Sequence, residues 1–170
     1  MPTHKLTFKN AAGLALAARL ELPDHTPPRA YAVFAHCFTC TKNVKAIVEI
    51  SRALAASGLG VLRFDFTGLG ESAGEFVGTT FASNADDLVA AAGFLATQYA
   101  APQLLIGHSL GGAAVLLAAQ RTPSVTAVAT INAPCSPAHL VDLLGEARDQ
   151  IAASGQATVQ LGGAPVTISR

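Results

Sequence analysis

Residues 104–119 read Leu104-Leu-Ile-Gly-His-Ser-Leu-Gly-Gly-Ala-Ala-Val-Leu-Leu-Ala-Ala119. Gln103 to Ile106 is a short apolar run suited to a strand covered on both faces, and Gly111 to Gln120 reads as a helix. Between them lies Gly107-His108-Ser109-Leu110-Gly111, a G-x-S-x-G in the strand-to-helix context that the motif requires. A serine there sits on a sharp, strained bend with its hydroxyl above the sheet. Such a bend leaves room only for small neighbours, which Gly107, Gly111 and Gly112 supply. The helix that follows points its dipole and its free amino-terminal N–H groups at the same place, so the Leu110 amide can donate to an oxyanion. Ser109 is therefore the candidate nucleophile.

The flanking sequence supplies a sheet for this bend. Leu6 and Phe8 alternate with Lys5, Thr7 and Lys9, turn residues Asn10 to Gly13 follow, and Leu14 to Leu22 alternates again, which predicts an antiparallel hairpin. In its second strand Leu14, Leu16, Leu20 and Leu22 fall on one parity and Ala15, Ala17, Arg19 and Glu21 on the other, the pattern of a half-buried strand. That alternation also argues against reading Ala11 to Ala18, behind Lys5 and Lys9, as a signal peptide. Ala30 to Ala35, Val61 to Phe66 and Val125 to Ile131 are further buried strands. Val44, Ile47, Ile50 and Leu54 mark a helix stopped near Gly58, and Ser83 with Asp86 marks the start of another that runs to Tyr99. Strands alternating with helices predict an α/β fold: a mostly parallel sheet with helices on both faces and an antiparallel N-terminal hairpin. Ligands in such sheets sit beyond the carboxyl ends of the strands, here just after Ala35, Phe66, Ile106 and Ile131.

Each of the first three places carries a motif. His36-Cys37-Phe38-Thr39-Cys40 follows the third strand. Asp65-Phe66-Thr67-Gly68-Leu69-Gly70-Glu71-Ser72 follows the fourth, and as a dinucleotide loop it is poor, because the glycine after Gly68-x-Gly70 comes at Gly74, one place too late. A structural turn at the rim of the site is the better reading. Together with GHSLGG these motifs resemble the α/β-hydrolase superfamily, in the same order along the chain. More narrowly, AHCFTCTKN, LRFDFTGLGESAGEF and LLIGHSLGGAAVLLAA resemble the hydrolase half of bacterial proteins in which an α/β-hydrolase is fused to an OsmC-like domain. The resemblance implies Ser109 as nucleophile and the Phe38 and Leu110 backbone amides as oxyanion hole. His36, Cys37, His108, Gly107 and Gly111 would form the rim, and the substrate would be a small-molecule ester, amide or thioester. Cys37 departs from the wider superfamily, where glycine is usual; a Cβ there limits positive φ.

The remaining machinery is expected in the order serine, acid, histidine. After Ser109 the only histidine is His139, and Asp142, Glu146 and Asp149 lie beyond it. The chain therefore reads as truncated before the triad acid and histidine, with residues 1–134 as hydrolase core and 135–170 as the start of a cap. Ala157 to Leu161 and Pro165 to Ile168, split by Gly162-Gly163, form a terminal hairpin in this reading. The Val125 to Ile131 strand would then be an open sheet edge, a route to self-association or a homo-oligomer. A truncated hydrolase would be weakly active or inactive, and a non-catalytic fragment or binding module is the alternative.

Composition narrows the rest. The chain has 170 residues with 11 basic and 11 acidic side chains, scattered and summing to zero, so it offers no field for nucleic acid. Between Asp87 and Arg121 no residue is formally charged, yet Gln98, Pro102, Gln103 and His108 break the stretch below membrane-span length. Cys37-x-x-Cys40 before a helix offers a second alternative, a thiol redox protein. Zinc is poorly served by Cys37, Cys40 and Cys135 with one histidine, so neither metal nor cofactor is expected. An odd number of cysteines suggests reduced thiols in a cytoplasmic protein.

Overall fold

The structure is a computed structural model that describes residues 2–135, 145–161 and 164–169. Strands β1 (Thr3–Lys9), β2 (Ala15–Glu21), β3 (Ala30–Ala35), β4 (Leu59–Phe64), β5 (Leu104–His108) and β6 (Ala127–Ile131) form one sheet in the order β1-β2-β4-β3-β5-β6. The β1–β2 and β2–β4 pairs are antiparallel, and β4, β3, β5 and β6 run parallel. This is the predicted α/β architecture with its N-terminal hairpin at one edge. Strands β7 (Gln156–Leu161) and β8 (Ala164–Ser169) pair antiparallel as a separate ribbon, preceded by the helix Glu146–Ser154.

Helices α1 (Lys45–Ala56), α2 (Phe81–Gln98) and α3 (Leu110–Ala119) divide between the two faces. Alternate strand residues sort accordingly. Leu16, Leu20, Val33, Ala35, Leu62, Phe64 and Leu105 pack beneath Leu88, Leu95, Val115 and Ala118 of α2 and α3. Ala32, Phe34, Val61 and Ile106 face Ile47 of α1. The apolar runs of β3 to β5 thus reflect helices on both sides, as parallel strands demand. Among the described residues no helix is long and apolar enough to cross a membrane.

Four expectations shift. Helix α2 begins before Ser83: Thr80 is the cap, its side chain accepting from the Ser83 amide while Ser83 Oγ accepts from the Thr80 amide. That reciprocal box places Ser83 in the first turn rather than ahead of it. Strand β4 ends at Phe64, because Asp65 and Phe66 are drawn into the loop at the site. Strand β2 is not half-buried, since Ala17 and Glu21 of its polar parity are buried too. Glu21 accepts a 2.6 Å bond from Arg63 Nη2, and the Arg63 Nη1 donates to the Lys42 carbonyl at 2.7 Å, so an ion pair lies where an exposed face was expected. Strand β6, expected as a buried strand over Val125 to Ile131, covers Ala127–Ile131 and is largely exposed, because it lies at the sheet margin and pairs with β5 on one side only among the described residues.

The buried pair gives a test of this packing. Glu21→Ala leaves the Arg63 guanidinium buried without its carboxylate, a change that costs about 3–5 kcal/mol. Urea denaturation should show that loss; a change below about 1 kcal/mol would mean that Arg63 reaches water in the native state.

Candidate functional site

Four strands deliver their carboxyl ends to one rim, and the backbone there is unusual. Among the described residues Thr39 (φ 62°), Ser109 (φ 54°) and Asn132 (φ 50°) are non-glycine residues at positive φ, one after each of β3, β5 and β6; His25 (φ 63°) is the fourth, elsewhere in the chain. Each such residue costs on the order of 1–3 kcal/mol and persists only where its surroundings hold it. At Ser109 the hold is visible. Its amide donates to the Ile131 carbonyl at 2.9 Å, and its carbonyl accepts from Gly112 N at 2.8 Å and Ala113 N at 3.3 Å, so β6 and α3 clamp the bend from both sides.

Close approach of backbone explains the flanking glycines. A Cβ on Gly107 would stand 2.2 Å from the Gly111 carbonyl oxygen, and one on Gly111 would stand 2.3 Å from the His36 carbonyl oxygen. The first turn of α3 therefore lies directly against the strand end before it and the loop after β3. Its dipole and first N–H groups open onto the bend.

The loop after β3 meets α3 here. His36, Cys37, Phe38, Phe66, Asn84, Leu110, Gly111 and Ala114 enclose a pocket of about 10 Å³, room for one water-sized group. Phe38 and Leu110 thus line one pocket, and among the described residues neither of their amides has a hydrogen-bond partner. The arrangement can offer two N–H donors to a single anionic oxygen. The pocket brings together Phe38, Leu110, His36, Cys37 and Gly111; Gly107 lies against Gly111, and Ser109, at the bend next to Leu110, is not part of the lining. His108, half-buried at the end of β5, precedes the bend.

His36 is an orienting residue in this arrangement. It is buried, with Nδ1 2.7 Å from the Cys37 carbonyl oxygen and Nε2 accepting from Phe66 N at 3.3 Å. Donating with one nitrogen and accepting with the other requires the neutral ring. Burial, foremost, holds its pKa below the ordinary 6.5, more than offsetting the Cys37 carbonyl and Asp65. Both ring nitrogens are occupied, which leaves none to take a proton from a serine. His139 and Asp142 lie outside the described residues, so among those described no histidine follows Ser109.

The turn after β4 is the brace for this loop, in keeping with its reading as a structural turn. Asp65 is wholly buried and accepts from Lys42 N at 2.6 Å, Lys42 Nζ at 2.6 Å and Glu71 N at 2.9 Å. Lys42, equally buried, also reaches Glu71 at 2.6 Å, and Asp87 accepts from Thr67 N at 2.9 Å. Sequence reasoning missed Lys42 and Asn84. The signal for Lys42 was a lysine two residues past the second cysteine, facing an Asp and a Glu in the next glycine-rich turn. Asn84 gave none: it sits in an alanine-rich helix, yet its Oδ1 is buried without a partner in the wall of the pocket. Against the expectation of free thiols, Cys37 and Cys40 form a disulfide and Cys135 is free. The tight turn closed by Cys40 N on the Cys37 carbonyl sets their Cα atoms 5.3 Å apart, within disulfide reach.

A mixed sheet in this strand order, helices on both faces and a strained serine bend entering α3 define an α/β-hydrolase. The chain belongs to the serine aminopeptidase S33 family, whose profile matches residues 26–161. It is 52% identical to the esterase domain of a Rhodothermus marinus protein, with a TM-score of 0.74 over 99% of this chain and 65% of that one. A Xanthomonas campestris serine hydrolase described as having no lid is 26% identical, with a TM-score of 0.70 over 81% of this chain and 65% of that one. A monoacylglycerol lipase of Mycolicibacterium smegmatis is 27% identical over 135 residues, 78% of this chain and 47% of the lipase. The chain thus spans about half the length of that curated relative.

The brace makes a pH prediction. The Lys42 and Lys5 ammonium groups hold the Glu71 carboxyl down to about 2, from an ordinary 4.5. A depressed folded-state pKa gives stability that is complete above 4.5 and lost as pH falls toward about 2. The urea midpoints of wild type and Glu71→Gln should therefore differ at pH 7 and converge through that window. A gap independent of pH would refute the charge-based account.

Proposed function

We propose that this chain carries the nucleophile and oxyanion hole of a serine hydrolase acting on carboxylic esters of small molecules. The observation that supports the reading best is Ser109 on a clamped positive-φ bend, next in the chain to a pocket lined by Phe38 and Leu110, whose amides have no hydrogen-bond partner among the described residues. Ser109 Oγ attacks the ester carbonyl carbon, and the carbonyl oxygen gathers negative charge as the tetrahedral centre forms. The Phe38 and Leu110 N–H groups stabilise that charge; loss of one such donor costs about 10²–10³ in rate. The centre collapses to an acyl-serine: the C–O bond to the alkoxide breaks, the alkoxide leaves as the alcohol with the proton that the Ser109 hydroxyl gave up to solvent, and water then releases the carboxylic acid and restores the serine.

Esters fit better than amides. An alcohol departs as a better leaving group than an amine, which needs a proton from a general acid, and among the described residues no histidine follows Ser109 to give one. The Rhodothermus esterase domain and the mycobacterial lipase are consistent with that choice. Residues 1–134 are the catalytic core in this proposal, and 135–170 begin a cap over it.

The reading further holds that these 170 residues alone lack the acid-then-histidine pair. What remains to Ser109 is the share of oxyanion hole and binding, on the order of 10³–10⁴ over water. Self-association through the open side of β6 belongs to the same proposal and should give way, in light scattering, to the monomer in Ala129→Lys.

Mass spectrometry after incubation with p-nitrophenyl acetate tests the assignment. A slow acetyl adduct on Ser109, absent in Ser109→Ala, is expected. An adduct pattern unchanged by the substitution would remove Ser109 from the chemistry. Rapid multiple turnover by the 170-residue chain would instead show that it holds its own base.

A further inference from the structure

The disulfide occupies a place that catalysis by Ser109 does not require. Cys37 and Cys40 close a ring around Phe38 and Thr39, so one of the two amides in the pocket lies inside the cross-linked turn. On either side the backbone is firmly held. His36 bonds the Cys37 carbonyl and the Phe66 amide, and Lys42 is tied to Asp65 through both its backbone N and its Nζ. Between these anchors, among the described residues, the turn itself is closed by Cys40 N on the Cys37 carbonyl at 3.2 Å, the Thr41 carbonyl accepts from Val44 N at 3.2 Å, and Thr39 stands at φ 62°. A β-branched residue resists that conformation.

All four residues, 37 to 40, are partly exposed, so the turn that carries the disulfide lies at the surface. The edge-on contact of the Phe38 ring with Phe76, 5.0 Å between centroids, joins the turn to the segment after the glycine-rich loop. Cys37 and Phe38 themselves line the pocket, so a motion of the turn would be felt at its wall.

We propose that Cys37–Cys40 is a reversible thiol–disulfide exchange site for dithiols, whose reduction loosens the Phe38 donor and lowers acyl transfer at Ser109. The inference deepens the esterase reading and rests on it. In the exchange, a thiolate of the dithiol attacks one cysteine sulfur, the Cys37–Cys40 bond breaks, and a mixed disulfide forms with release of the other cysteine as thiol. The second thiol of the reagent then attacks that mixed disulfide. The reagent leaves as a cyclic disulfide, having supplied two electrons, and both cysteines end as thiols. Glutathione disulfide reverses the sequence.

The full chain is compared before and after dithiothreitol. Alkylation and mass spectrometry should count one thiol, Cys135, in the oxidised protein and three after reduction, returning to one with glutathione disulfide. Exchange of the Cys40 amide, which donates to the Cys37 carbonyl within the turn, should accelerate by about tenfold or more on reduction while that of α3 stays unchanged, a sign of local opening. Acetylation of Ser109 by p-nitrophenyl acetate should slow by about tenfold, short of the 10²–10³ for outright removal of a donor. A Cys37→Ser, Cys40→Ser variant should match the reduced protein and ignore the dithiol, and Cys135→Ser should respond like wild type. Equal exchange rates in the two states, or acetylation that ignores reduction while the thiol count changes, would overturn the proposal. Absence of Ser109 acetylation in both states would sink the esterase reading instead, and hydrogen exchange would still decide whether reduction opens the turn.

Discussion

The constraint on which everything else depends is the contact of bare backbone where α3 enters. Gly107 and Gly111 allow the helix start to lie against the end of β5 and the carbonyls that close β3, at distances that no side chain permits. That proximity forces Ser109 into its positive-φ bend, and the hydrogen bonds from β6 and α3 then offset the strain. A looser helix would relax the serine and withdraw the dipole from the pocket together. The strain is thus a property of the layer packing, held by the large apolar cluster beneath α2 and α3.

A second support is electrostatic. Burying Lys42, Asp65, Arg63 and Glu21 is costly, and such charges are tolerated only when their partners are fixed. Asp65 meets that condition by accepting two bonds from Lys42 and one from Glu71 N, while Arg63 ties Glu21 to the Lys42 carbonyl. The result is a chain of charges that joins β2, β4 and the loop after β3. Its worth lies in geometry more than in net stability: it fixes the segment that carries Phe38, and neutral His36 fixes the other end.

Much of this was legible in the sequence, for identifiable reasons. Strand β3 was read at Ala30 to Ala35, where it lies, because a continuous apolar run between a proline-rich connection and a polar motif has few other readings. The bend at Ser109 was legible because sterics restrict its neighbours to glycine. The exposed-face reading of β2 failed at Glu21, whose partner Arg63 is 42 residues away and invisible to local periodicity. Helix α2 was placed three residues late because Ser83 serves as the inner half of a capping box rather than the cap. Lys42 and Asn84 were missed since burial of a polar side chain is decided by what folds over it. The disulfide was discounted by an argument from cellular compartment, which speaks to redox supply and not to the turn that brings the two sulfurs together.

How two amides from distant parts of the chain come to face one pocket is a question of register. Strands β3 and β5 are parallel neighbours with Ala35 opposite Gly107. Phe38 and Leu110 each lie three residues beyond that pair, so the two chain segments leave the sheet in step and turn toward each other. A slip of one residue between β3 and β5 would turn over the strand that moves, carrying either Val33 and Ala35 or Leu105 from the α2 and α3 side to the α1 side. The core therefore forbids the misregister that would separate the donors. The same apolar alternation that directs the folding of the sheet also sets the spacing of its candidate oxyanion hole. The turn through Cys37 and Cys40 has only to hold the last three residues of that alignment.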